Sequence, residues 1–162
     1  MQLFYCFFLV VSFALCQQSN NPPFKIAITA EDSTIVAGAD VLIKVSLTNT
    51  SNQDVHEGVM YKDGIGLDST FRFKVRDEHG KLVPKRTYPN EELRAGRVSF
   101  RTIMAGHTHT QSQPVSVLYD MRKPGKYTIQ VSRFSDKHEE MKSNIVTVTV
   151  TANGKDPNVQ KR

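Results

Sequence analysis

The sequence predicts an all-β fold, an antiparallel β-sandwich of about seven strands. Several segments alternate apolar and polar residues with a period of two, which is the pattern of a strand that buries one face. Turn-forming residues separate these segments, and no stretch of the chain shows a convincing helical period. Without helices between them, the strands are expected to pair antiparallel rather than to form parallel βαβ units.

Five segments carry the alternation most clearly. They are Phe24–Ile28, Val41–Thr48, Phe71–Arg76, Tyr127–Ser132 and Ile145–Val150. Residues 77–81 supply a hairpin turn after the third of them. The region 84–115 is the least regular, and we expect it to contain edge strands at 98–104 and 107–113. The predicted core residues are Val45, Leu47, Phe71, Phe73, Tyr127, Ile129 and Val131.

The size and composition of the chain fit one globular domain. It has 162 residues, enough for a core that folds unaided, and a formal net charge of +5. Charged residues make up 23% of the chain and apolar residues 39%, without a low-complexity run, which argues against a disordered or collagen-like protein.

The first sixteen residues, 1–16, have the features of a secretory signal peptide. They are almost wholly apolar and carry no charged side chain, and small residues at Ala14 and Cys16 suit cleavage before Gln17. The apolar run is shorter than the roughly 20 residues of a transmembrane anchor. We therefore expect a secreted or periplasmic protein with no transmembrane segment after leader cleavage. Lipid attachment at Cys16 is the alternative, which Leu15 disfavours because a small residue is expected there.

The remaining boundaries follow from composition. Residues 17–23 form a short spacer that ends in two prolines, residues 24–152 form the sandwich, and residues 153–162 form a polar tail that we expect to be disordered. Both cysteines, Cys6 and Cys16, belong to the leader. The mature chain is therefore expected to contain no disulfide, cysteine nucleophile or thiolate metal site.

A family resemblance rests on the bend at Pro124 and Gly125, which Tyr127 follows at the start of a strand. This bend resembles the tyrosine corner of an immunoglobulin-like sandwich, in which the tyrosine hydroxyl bonds to backbone upstream. With the strand and turn at Val45–Ser51, the chain from Phe24 to Thr151 is similar to secreted bacterial immunoglobulin-like domains of unassigned function. Similar frameworks occur in an intracellular proteinase-inhibitor family and in accessory domains beside secreted peptidases.

What the resemblance implies is a fold: an immunoglobulin-like antiparallel β-sandwich of about seven strands, in which Tyr127, Pro124 and Gly125 have structural roles. It brings no functional residue with it. The sequence also lacks a nucleophile elbow, a glycine-rich phosphate loop and a His-Glu-x-x-His helix. We expect no enzymatic activity and no cofactor.

A candidate metal site lies at His107 and His109. Residues two apart on a strand face the same side, so both imidazoles can converge on one transition metal, with Met104 nearby as a soft ligand for copper. The alternative is that both histidines are solvated side chains of an exposed strand.

A candidate binding surface is formed by basic residues. Arg72, Lys74 and Arg76 occupy one face of a predicted strand, and the following segment adds more positive charge. These further residues are Lys85, Arg86, Arg94, Arg97 and Arg101. Such a patch attracts acidic partners, here a protein or an anionic glycan. Nucleic acid is not expected, because exposed aromatic residues are not interleaved with the charges. The alternative is a solvated face whose charges protect edge strands from aggregation.

The function predicted from these observations is an exported, non-catalytic binding module of unknown ligand. A proteinase-inhibitor-like domain that presents an exposed loop to a peptidase is the first alternative, and a copper-binding envelope protein is the second. Asn49-Thr50-Ser51 also matches an N-glycosylation acceptor.

Overall fold

A computed structural model describes residues 23–62, 67–86, 96–135 and 138–152. Within them lie ten strands and one helical turn. The elements are β1 Phe24–Ala30, β2 Thr34–Val36, β3 Leu42–Asn49, β4 Val55–Lys62, β5 Leu67–Asp68, β6 Arg72–Arg76, β7 Gly96–Ile103, β8 Thr108–Pro114, α1 Val115–Leu118, β9 Gly125–Phe134 and β10 Glu140–Thr151.

Seven of these strands form the two sheets of a sandwich. The first sheet has the order β1-β3-β8, and the second has the order β2-β10-β9-β6. All their pairings are antiparallel except that of β2 with β10. With β1, β3 and β8 as strands A, B and E, and β6, β9 and β10 as C, F and G, this is the strand distribution of an immunoglobulin-like sandwich. The predicted fold class is confirmed.

A third sheet, of order β5-β4-β7, is added to this framework. β4 and β7 pair over their full lengths, from Val55 opposite Ile103 to Lys62 opposite Gly96. β7 lies at the edge of the third sheet and β8 at the edge of the first, where the sequence predicts edge strands. The alternation pattern does not find β4, because a charged residue, Glu57, occupies an inward position while Met60 faces solvent.

The core lies between the first and second sheets, where the alternating apolar residues of the strands meet. All seven predicted core residues are buried, so that prediction is confirmed. Further buried residues extend the cluster to β1, to α1 and to β10. Those residues include Phe24, Ile26, Ile28, Ile43, Val75, Val115, Val148 and Val150.

A β-bulge in β10 joins the two sandwich sheets at their edge. Lys142 lies opposite Ser132, whereas Ile145 lies opposite Gln130, so two residues of β10 oppose one of β9. The side-chain amide of one bulge residue, Asn144, accepts from the Ile28 amide at 2.9 Å and donates to the Ile28 carbonyl at 3.0 Å. One side chain thereby substitutes for a strand neighbour on the edge of β1.

The predicted signal peptide, most of the spacer, Arg94 and the polar tail lie outside the described residues. No helix among the residues that are described is long and apolar enough to cross a membrane.

Candidate functional site

The outer face of the second sheet carries a concentration of positively charged side chains. Phe73 and Val75 point into the core, so Arg72, Lys74 and Arg76 of β6 point outward, as the sequence predicts. Lys126 of β9 and Lys142 of β10 also occupy outward positions. We call these five residues, Arg72, Lys74, Arg76, Lys126 and Lys142, the basic face.

The strand register orders this face into rows. Arg72, Lys74 and Arg76 lie opposite Ser132, Gln130 and Thr128 of β9. On the other side of β9, Ser132, Gln130 and Thr128 lie opposite Lys142, Ile145 and Thr147 of β10. Each row therefore starts with a cation on β6 and continues with a hydroxyl or amide side chain on β9.

Both guanidinium groups of the basic face, those of Arg72 and Arg76, are held in place. The guanidinium carbon of Arg72 lies 4.6 Å from the centroid of the Phe134 ring. Nη1 of Arg76 donates to the carbonyl oxygen of Gly80 at 2.6 Å. Guanidinium groups that are already oriented lose less conformational freedom when they bind an anion.

Glu140 is the only acidic residue in the four described strands of this sheet. Its carboxylate lies 3.0 Å from Nζ of Lys142. Hydrogen bonds from Lys142 and Ser132, together with the charges of Lys142 and Lys74, hold the pKa of Glu140 below its ordinary value. Asp77 and Glu78, in the turn after β6, lie beside Lys126 at one end of the face. Even with these three carboxylates, five cations leave the face positive at neutral pH.

A shallow depression lies in the middle of the basic face. It has a volume of about 190 Å³, and its lining combines positive, polar and apolar side chains. The lining residues are Lys74, Arg76, Thr128, Ile129, Gln130 and Ile145. Nε2 of Gln130 donates to the Ser143 carbonyl at 3.1 Å, which fixes the amide over the bulge. We call this feature the central depression.

The other predicted basic residues do not extend this face as one patch. Lys85 is exposed, and its backbone forms an isolated antiparallel β-bridge with Tyr119. Nη2 of Arg86 lies 3.8 Å from Asp120. The side chain of Asp120 also accepts from Nε of Arg122 at 2.8 Å, and these contacts, the Arg122 hydrogen bond first, lower the pKa of Asp120 to about 2. Only the backbone of Arg97 is described.

Arg101 corrects the expectation of an exposed patch, because its side chain is only 13% exposed. Its guanidinium pairs with Glu57 and lies 3.4 Å from Asp68. Arg133 also pairs with Glu57, from the inward side of β9. We call Glu57, Asp68, Arg101 and Arg133 the ion cluster. It contains two cations and two anions, so Arg101 adds no net charge to a binding surface.

The ion cluster continues into a network of neutral side chains. Oδ2 of Asp68 accepts from Nε2 of Gln111 at 2.7 Å, and its Oδ1 accepts from the backbone amide of Thr70 at 2.9 Å. The backbone amide of Asp68 in turn donates to Gln113 at 3.0 Å. The network connects the third sheet with β8 and β9, and sequence reasoning missed it.

The predicted metal residues lie near the end of β7 and the start of β8. β8 begins at Thr108, so His107 lies in the preceding turn, where its Nδ1 is 3.0 Å from the Ala105 carbonyl oxygen. His109 is half-buried on β8, and Met104 is half exposed. In the described part of the chain, no three residues among His, Cys, Asp and Glu gather as a metal site. Copper binding stays a prediction.

The match of residues 49–51 to an N-glycosylation acceptor does not fit the position of Asn49 in the structure. Asn49 is fully buried, and Nδ2 donates to the carbonyl oxygens of Gln53 at 2.8 Å and Ile103 at 2.9 Å. A glycan on this nitrogen would displace one of these bonds and occupy the interior. The motif at residues 49–51 therefore organises a turn in this fold.

Tyr127 follows the bend at Pro124 and Gly125 and is buried near the start of β9. The Tyr127 hydroxyl donates to the carbonyl oxygen of Lys123 at 2.8 Å. A second tyrosine, which sequence reasoning missed, is more deeply buried: the Tyr119 hydroxyl donates to the carbonyl of Phe73 in β6. Burial raises the pKa of both hydroxyls.

Replacing each tyrosine by phenylalanine is expected to give unequal losses of stability. Tyr127→Phe removes a bond to a carbonyl near the surface, so we expect the free energy of unfolding to fall by about 0.5–1.5 kcal/mol. Tyr119→Phe leaves a buried carbonyl without its donor, so we expect about 1–3 kcal/mol. Urea denaturation of the two variants measures the difference. Equal losses would contradict the assigned environments.

Comparison with known proteins gives weak similarities only. No protein-family model matches the chain, and no curated protein matches it significantly. The chain is similar to part of the β-glucosidase EmGH1 from Erythrobacter marinus, with 17% identity and a TM-score of 0.44, over 80% of this chain and 16% of the glucosidase.

Two further solved structures are similar at the same level. The CARDB domain of PF1109 from Pyrococcus furiosus, solved with di-metal ions, has 10% identity and a TM-score of 0.43, over 82% of this chain and 96% of that domain. Spo0M, a sporulation control protein from Bacillus subtilis, has 9% identity and a TM-score of 0.43, over 81% of this chain and 50% of Spo0M. Similarity this weak carries no argument about function.

Proposed function

We propose that this protein is an exported, non-catalytic binding module whose ligand is a polyanion held by the basic face. The observation that supports the proposal most is the charge on the second sheet, whose described strands carry five outward cations and a single carboxylate. An ordinary solvated surface intersperses charges of both signs. A face of one sign raises the local concentration of oppositely charged ligands.

The orientation of the cations supports binding beyond long-range attraction. Phe134 and the Gly80 carbonyl hold Arg72 and Arg76 at the two ends of the β6 row, with Lys74 between them. Guanidinium groups bind carboxylate, sulfate or phosphate through two parallel hydrogen bonds. For the proteinase-inhibitor-like and copper-binding alternatives, no comparable feature stands out among the described residues.

The experiment expresses the full 162-residue sequence and measures the affinity of the protein for immobilised dextran sulfate. We expect salt to weaken binding, because ions screen exposed charges. The double variant Lys74→Glu, Arg76→Glu is expected to bind about a hundredfold more weakly, since two attractive contacts become repulsive.

A matched control separates the basic face from net charge. Lys25→Glu, Lys44→Glu makes the same change in charge at exposed positions on β1 and β3, in the first sheet. The proposal expects this control to keep most of its affinity. If both double variants lose equal affinity, or if the wild-type protein does not bind at all, the proposal is wrong.

A further inference from the structure

We infer that the polyanion is a linear acidic polysaccharide, and that one acidic sugar is held in the central depression. The inference depends on the proposed function, since it names the ligand class of the same face. The lining of the depression supports it. Lys74 and Arg76 supply charge, Thr128 and Gln130 supply hydrogen-bonding groups, and Ile145 supplies an apolar surface.

An acidic sugar presents the complementary groups. Its carboxylate or sulfate pairs with a cation, its hydroxyls exchange hydrogen bonds with a hydroxyl or an amide, and its C–H face packs on an apolar side chain. Ile145 is 61% exposed, so most of its side chain is available for such a contact. A purely ionic contact would not involve the Ile145 side chain, so its place in the lining favours a ligand that also has an apolar face.

The position of Ile145 is fixed by the β-bulge. The bulge shifts the register of β10 by one residue, which places Ile145 opposite Gln130 on the outward side. Oγ of Ser143 accepts from the Val131 amide at 3.0 Å, and Asn144 bonds to the backbone of Ile28 in both directions. Both bulge residues are thus held by hydrogen bonds, and the depression is preformed.

The cation row indicates a chain-like ligand. Outward residues of one strand repeat about every 6.8 Å, so Arg72, Lys74 and Arg76 span about 14 Å along β6. A linear polymer with repeated acidic groups can contact all three cations while one sugar occupies the depression.

An acidic peptide fits this face less well. Peptides often bind to sheets by adding a strand at an open edge. Along β6 that edge is already occupied, because the Tyr119 hydroxyl donates to the Phe73 carbonyl and the Val83 amide donates to the Val75 carbonyl at 2.9 Å. A peptide would be left with charge contacts alone.

Nucleic acid also fits less well, since sequence-tolerant binding of single strands relies on bases stacking on exposed aromatic rings. On the described strands of the second sheet, Phe134 is the only aromatic residue at an outward position. The Arg72 guanidinium already lies over its ring, so that face of the ring is not open for a base to stack on.

The experiment compares four probes by isothermal titration calorimetry on the full-length protein. Oligogalacturonate and dextran sulfate represent acidic polysaccharides with carboxylate and sulfate groups, polyglutamate represents an acidic polypeptide, and oligothymidylate represents nucleic acid. The inference expects one of the two polysaccharides to bind most tightly.

Two variants then separate sugar recognition from charge. Ile145→Ala and Gln130→Ala are each expected to weaken that polysaccharide about three- to tenfold, through lost apolar contact and a lost hydrogen bond, and to change polyglutamate binding less than about twofold. Thr149→Ala is the control, because Thr149 lies on the same face of β10 opposite Lys126, outside the depression. Thermal melts establish that each variant is folded.

The possible failures are distinguishable. If polyglutamate or oligothymidylate binds most tightly, or if Ile145→Ala and Gln130→Ala change no affinity or change all equally, the polysaccharide inference is wrong. The proposed function survives these results as long as Lys74→Glu, Arg76→Glu still weakens binding about a hundredfold. If no probe binds to the wild-type protein, the proposed function fails as well.

Discussion

Replacing Glu57 by alanine is expected to destabilise the protein by about 3–5 kcal/mol, because it leaves buried cations without their partner. The carboxylate of Glu57 pairs with both Arg101 and Arg133, whose side chains are 13% and 12% exposed. After the substitution Arg101 keeps Asp68 at 3.4 Å. The described contact that remains for the Arg133 guanidinium is the Phe24 ring, whose centroid lies 5.4 Å from its central carbon.

Urea denaturation measures this loss, and Glu140→Ala provides the control. Glu140 forms an ion pair with Lys142 at the surface, where both side chains are well exposed. Exposed pairs contribute about 0–1 kcal/mol, so the control is expected to unfold close to the wild-type urea concentration. Similar losses in the two variants would show that the ion cluster is not buried as described.

The strands and the core could be predicted from the sequence because they depend on local alternation. Each of the five alternating segments lies largely within one observed strand, and every predicted core residue faces inward. Part of the basic face follows from the same rule, since Phe73 and Val75 point inward and thereby direct Lys74 outward.

The rest of the face depends on register, which the sequence does not give. Lys142 and Ile145 join the rows of β6 only through β9, and the bulge decides which residues of β10 lie opposite Ser132 and Gln130. A slip of one residue would exchange the two faces of the strand. No local pattern states where such a bulge lies.

The ion cluster was missed although it left a signal in the sequence. Arg133 occupies the inward position that follows Ile129 and Val131, and Glu57 occupies an inward position beside Val59. A charge in an apolar row indicates either a strand end or a buried ion pair. The choice between these needs the partner, and the partners here lie 44 and 76 residues apart from Glu57 along the chain.

Replacing Asn49 by alanine is expected to lower the free energy of unfolding by about 2–4 kcal/mol, because the buried Ile103 carbonyl loses its donor and the partly buried bond to the Gln53 carbonyl is lost as well. Nδ2 of Asn49 donates to Gln53 and Ile103, and Oδ1 accepts from the backbone amide and hydroxyl of Ser51 at 3.0 and 2.7 Å. One side chain therefore joins the end of β3 to the following turn and to the end of β7.

Two further variants identify which of these bonds matters. Asn52→Ala, at an exposed position in the same turn, is expected to unfold within about 0.5 kcal/mol of the wild-type protein. Asn49→Asp keeps the acceptor for Ser51 but loses both donated bonds and buries a charge, so we expect it to be at least as unstable as Asn49→Ala. If Asn49→Asp instead restores wild-type stability in urea denaturation, the turn alone depends on this residue. The bond to Ile103 would then contribute nothing to holding the third sheet against the sandwich.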